Sequence, residues 1–150
     1  MQARLSAAAL VLFIVPVVAG GCARAPMGHT CSATDKQFIG ITQTNMDSLG
    51  YWSESLAEGD ADPGQVISQT KIAERSVSAT APTDPTLAQT RQILRAMFTE
   101  YWRAVAARSR GHAAGIHMMR AYGLANFAHD ALVQAQPGLA SKGCDISPLL

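Results

Sequence analysis

After residue 31 the apolar residues of this chain recur at three- and four-residue intervals in four successive stretches, and no stretch alternates apolar and polar residues as a half-buried strand would. The spacing predicts four helices. The first begins at Ser32, where Ser32-Ala-Thr-Asp35 has the form of a capping box with Asp in place of the usual Glu. Phe38, Leu49, Trp52 and Leu56 then share one stripe with Ile41 beside it, giving an amphipathic helix of about 25 residues.

Asp62-Pro63 and Asp84-Pro85 mark two further starts, because Asp accepts from the free N–H groups of a first turn and Pro at the first helical position lacks only a donor that would be unused. The second helix carries Val66, Ile67, Ile72 and Val77 and is expected to fade over residues 78–82. In the third, Leu87, Leu94, Met97, Phe98, Tyr101, Trp102 and Val105 form a continuous apolar face, while Arg91, Arg95 and Arg103 line another. Gly111 is expected to end it. A fourth helix is predicted from about His112 to Gln136, stopped by Pro137-Gly138. Short turns between helices make sequence neighbours antiparallel, so the expected fold is all-α, a small antiparallel four-helix bundle over residues 32–150.

The chain before Ser32 follows another pattern. Arg4 precedes an apolar run from Leu5 to Val18, which is followed by the small residues Ala19, Gly20 and Gly21, the layout of an export signal over residues 1–21. At about 1.5 Å per residue this run reaches roughly 21 Å as a helix, short of a hydrocarbon core of about 30 Å, and Pro16 interrupts it. Ala19-Gly20-Gly21-Cys22 resembles the lipobox of bacterial lipoprotein precursors, although the place usually held by Leu is Ala19. The resemblance implies that Cys22 becomes the acylated first residue of the mature protein, carrying diacylglycerol and a palmitate-type chain. Residues 22–31 are then a tether, and the protein is held by membrane lipid at the cell membrane or outer membrane, facing the periplasm or exterior. Ala23 is not the Asp that resembles an inner-membrane retention signal, so onward transport is allowed. Ala19 and Gly21 also suit ordinary cleavage after Gly21, which would release a secreted bundle.

Three cysteines are an odd number for an exported protein. If Cys22 is a thioether, Cys31 and Cys144 remain as a pair, one just before the first helix and one after the last. Their bridge would close a loop of more than a hundred residues, worth about 4.7 kcal/mol in the chain-entropy model. No CxxC spacing favours a metal or redox pair instead.

Charge is balanced overall and divided along the chain. Residues 23–90 hold four basic residues against eight acids, and residues 91–150 hold seven against three. Neutrality of the exported part argues against nucleic-acid binding. The division has two readings, attraction between the halves of one bundle, or a basic face turned to anionic headgroups.

No GxSxG, Gly-rich phosphate loop, HExxH or ExxH pair is present, so an enzyme is not expected. The stretch His112 to Tyr122, with His117, Met118 and Met119, followed by His129, carries groups that ligate copper or haem iron. At 100° per residue Met118, Tyr122 and His129 fall within about 40° of one another, alongside Ala125 and Val133. In size, and in having cysteines near both domain ends, the chain is similar to small exported helical haem-binding proteins of mycobacteria. His29, in the tether, reads as a solvated side chain. The sequence therefore favours an envelope lipoprotein whose bundle is a structural or protein-interaction module with an envelope partner. The alternative is an envelope haem or copper carrier using His117, Met118, Tyr122 and His129.

Overall fold

The computed structural model describes residues 30–150. The export signal expected over residues 1–21, Cys22 and residues 23–29 of the expected tether, with His29, lie outside the described residues. Four helices follow one another as α1 (Ala33–Glu58), α2 (Pro63–Ala79), α3 (Pro85–Ser109) and α4 (Gly115–Ser141), and a 3₁₀ turn, η1 (Ser147–Leu149), ends the chain. Connections of four or five residues fold them into an antiparallel bundle.

The three predicted N-caps form. Ser32 Oγ accepts from the Asp35 N–H and Asp35 Oδ2 accepts from the Ser32 N–H, each at 3.0 Å, which completes the capping box. Asp62 accepts from Gly64 and Gln65, and Asp84 from Thr86 and Leu87. At the end of α3, Gly111 adopts φ +72° while His112 N–H reaches the Ala107 carbonyl and Gly111 N–H that of Arg108, a Schellman closure that needs glycine at its left-handed position.

The closely packed pairs are α1 with α2, α2 with α3, and α3 with α4, while η1 bridges α1 and α4. The core draws Phe38 and Ile39 from α1, Val77 from α2, Leu94 and Phe98 from α3, and Leu132 and Leu139 from α4, with Cys144 and Ile146 from the tail. Phe38 and Phe98 are wholly buried, each worth roughly 1.5–3 kcal/mol of transfer free energy. A second cluster at the far end, Ala61, Val66 and Val105 flanked by Trp52, Leu56, Ile67 and Tyr101, uses α1–α3 and the α1–α2 turn, with no α4 residue among them.

The disulfide joins Cys31 and Cys144, with Cα atoms 5.1 Å apart across 113 residues. Around it lies a polar knot that joins the start of α1, the α2–α3 turn and the end of α4. The buried Asp35 carboxylate accepts from the Ser32 hydroxyl (2.6 Å), Thr83 N–H (2.6 Å), Thr83 hydroxyl (2.8 Å) and Asp84 N–H (3.0 Å), besides Ser32 N–H. Burial pushes its pKa up, but these donors, led by the Ser32 hydroxyl and the Asp84 N–H, outweigh it and hold the carboxyl well below the usual range. Asp84 receives Lys142 Nζ at 2.6 Å, and the Cys31 N–H meets the Lys142 carbonyl at 2.8 Å.

Three expectations are corrected. The fourth helix begins at Gly115, not His112, because residues 112–114 complete the turn after Gly111 and offer no side-chain cap. It also runs through Pro137-Gly138 to Ser141. Pro137 is exposed, Leu139 beyond it is buried, and the helix closes where Cys144 N–H reaches the Leu139 carbonyl and Gly143, at φ +82°, donates to Ala140. Core packing and this closure outweigh a proline penalty of about 3 kcal/mol. Finally, the deeply buried residues of α1 are Asp35, Phe38, Ile39 and Thr42, while Ile41, Leu49, Trp52 and Leu56 are half-buried; on α2, Thr70 and Ala73 are buried and Ile72 faces out.

Candidate functional site

The third helix was expected to line up Arg91, Arg95 and Arg103, and the fourth adds Arg120 opposite them. Together with Gln92, Ala96, Thr99, Glu100, Gly123 and Leu124 they line an open groove of about 910 Å³ between α3 and α4. The groove exists because its floor is small: Ala96 has only a methyl, and a Cβ placed on Gly123 would meet nothing within 4 Å.

Its one carboxylate is already engaged. Glu100 Oε1 accepts from Arg103 at 3.0 Å, and Oε2 takes His117 Nδ1 at 2.7 Å, which pins the first turn of α4 to α3. The His117 hydrogen bond, outweighing desolvation and assisted by Arg103, lowers the Glu100 pKa. Arg91 donates to the Thr80 carbonyl at 3.1 Å. Arg95 is two-thirds exposed and only grazes Glu74 at 4.0 Å, and Arg120 is exposed with no carboxylate within that distance among the described residues. Two guanidiniums are thus free to take an anion and two are held by their neighbours.

The charge division of the sequence is met partly inside the bundle. Lys142 with Asp84 links the halves, Arg95 only approaches Glu74, and the remaining excess lies on the α3–α4 side. Trp102 belongs to the same periphery: its N–H donates to Glu74 at 3.2 Å and Lys71 lies 4.4 Å from its ring, a cation–π contact that explains its half-burial on the predicted apolar face. Tyr101 is half-buried too, its hydroxyl 2.7 Å from Ser53 Oγ.

The His/Met stretch is dispersed. His112 sits exposed in the α3–α4 turn, His117 is bound to Glu100, Met118 (41 % exposed) and Tyr122 (69 %) are exposed on α4, and His129 is exposed at the edge of the gap between α1 and α4. The far-end core closes with α1–α3, which leaves that face of α4 without a packing surface. Among the described residues the one set of three His, Cys or acidic ligand atoms close enough to share a metal is Cys31, Asp35 and Cys144, whose sulfurs are bonded to each other. Among the described residues no helix is long and apolar enough to cross a membrane.

The sequence missed Arg120 as a groove residue, since nothing in a single helix says which arginine faces a neighbour. The signal that was present is the i, i+4 spacing of Arg91 and Arg95 with small Ala96 beside them. No family model matches the chain, and neither does any curated protein or solved structure.

Proposed function

We propose that this protein is a lipid-anchored envelope protein whose helical domain is an interaction module, and that its arginine groove receives an acidic segment of a protein partner. The anchor is the acylated Cys22, placing the domain on the periplasmic or exterior side of a membrane. The observation that carries the reading is the groove of about 910 Å³ lined by four arginines whose single carboxylate is already bound by Arg103 and His117.

Guanidinium forks pair bidentately with carboxylates, and a free pair on facing helices sets both the charge and the direction of an incoming chain. Ile116, Arg120, Gly123 and Phe127 recur on one side of α4, and Ile116 and Phe127 are each more than half exposed. Apolar side chains beside charged ones supply the desolvated anchors on which interface affinity depends. The exposed Ile116 and Phe127 beside the arginines favour a protein segment, which can offer acidic and apolar side chains together along one stretch.

A photo-crosslinking residue in place of Ala96, in living cells, tests this. The expected outcome is a discrete protein adduct that disappears with Arg95→Glu/Arg120→Glu and with Gly123→Phe, which fills the groove. Adducts to phospholipid alone would assign the groove to the membrane, and a free monomer throughout would remove the interaction module.

A further inference from the structure

The two halves of the chain carry equal and opposite charge. Four basic residues against eight acids give −4 over residues 23–90, and seven against three give +4 over residues 91–150. Among the described residues the one close ion pair joining the halves is Lys142 with Asp84, so most of this opposition is left on the surface.

Part of the acid is ordered along one line of α1. Asp47, Glu54 and Glu58 are all exposed, and none is in an ion pair among the described residues. At 100° per residue they fall, with Tyr51, within about 60° of one another, on the side of the helix turned away from Phe38 and Thr42. Tyr51 is 64 % exposed. A purely solvated face gains nothing from such a ring, whereas the cores of protein interfaces are enriched in tyrosine.

We propose that the acidic segment received by the arginine groove is this α1 row of a second copy of the chain. The inference rests on the groove's receiving a protein segment and adds which segment it is. Register carries it. From Glu58 back to Asp47 the acids stand four and seven residues apart, and from Arg91 on to Arg103 the arginines stand four and eight apart. At 1.5 Å per residue these steps are about 6 and 10.5 Å against about 6 and 12 Å. An α1 helix lying antiparallel to α3 therefore brings Glu58 to Arg91, Glu54 to Arg95 and Asp47 to Arg103.

Glu54 then meets Arg95, the most exposed guanidinium of the three, while Arg91 and Arg103, each held through one nitrogen, keep other N–H groups for a carboxylate. Tyr51, one turn from Glu54, lies over Ala96 and Thr99, where the small floor leaves room for a ring and Arg120 offers a cation to its face. Because α1 packs on α2, α2 on α3 and α3 on α4, α1 and α3 stand diagonally across the bundle. The row and the groove thus face away from each other. A copy cannot fill its own groove, and the contact runs head to tail, which is heterologous.

The test uses the full chain in living cells as two co-expressed copies with different tags, the first carrying a photo-reactive phenylalanine analogue in place of Tyr51. The expected product is an adduct of the two copies, with the crosslink mapped to groove residues of the second. Glu54→Arg in the first copy, or Arg95→Glu in the second, should each lower the yield about three- to tenfold. Both together should restore it, a rescue that separates a charge pair from a folding defect. A monomer alone, an adduct to another protein or to residues outside the groove, or a yield indifferent to both reversals would overturn the second copy as occupant. The groove reading itself falls only if the crosslinker at Ala96 also yields no protein adduct, so the two failures are told apart.

Discussion

Replacing Asp35 with Asn tests whether the polar knot at the disulfide end holds the helices together. In the native arrangement Oδ1 accepts two backbone N–H groups, from Thr83 and Asp84, and Oδ2 accepts Ser32 N–H and two hydroxyls. An amide has one acceptor oxygen. Placed at Oδ1 it keeps the Thr83 and Asp84 bonds, and both hydroxyls can rotate to accept from the new NH₂. Ser32 N–H then faces another donor. One buried donor left without a partner costs about 1–3 kcal/mol, and the surviving bonds lose the extra strength of a charged acceptor, so the total expected is about 2–4 kcal/mol.

The effect depends on pH with a fixed sign. Asp35 has a folded pKa lowered from 3.8, so its contribution is whole above that value and drains away as pH falls through it toward the folded pKa. Urea unfolding followed by far-UV circular dichroism, disulfide intact, should show wild type and Asp35→Asn farthest apart near pH 7 and converging as pH falls below about 4. A penalty under about 0.5 kcal/mol, or one that stays constant across that range, would refute the reasoning.

Two further outcomes are expected. Cys31→Ser/Cys144→Ser should lower stability by about 2–5 kcal/mol while leaving the helix content of the refolded protein unchanged, checked by the same urea titration. Pro137→Ala should raise stability by about 1–3 kcal/mol, because the ring forfeits a bond to the Val133 carbonyl within α4; an unchanged or lower midpoint would mean that Pro137 is accommodated without cost.

The fold was legible where local chemistry decides it. Ser32, Asp62 and Asp84 announce helix starts because a short side-chain acceptor satisfies a first-turn N–H wherever it occurs, and Gly111 announces an end because the left-handed turn needs no other residue. Pairing of Cys31 with Cys144 followed from parity. What the sequence concealed depends on neighbours. Pro137 reads locally as a stop, yet Leu139 and the Cys144 closure draw the helix about one turn past it. The exposure of Met118 and Tyr122 reflects a far-end cluster completed by α1–α3, which no periodicity within α4 reveals. Likewise Asp35 looked like a cap alone, whereas its other four bonds come from the Ser32 hydroxyl, the N–H and hydroxyl of Thr83 and the Asp84 N–H, the last two residues 48 and 49 positions away. The groove needed Arg120 to face Arg95 across two helices.

The central claim is that an acyl chain on Cys22 holds this bundle at a membrane. Metabolic labelling with a fatty acid, comparing wild type with Cys22→Ser, tests it most directly. Label on the wild-type protein that is lost in Cys22→Ser is the predicted result; label on neither would contradict the anchor and leave a secreted bundle.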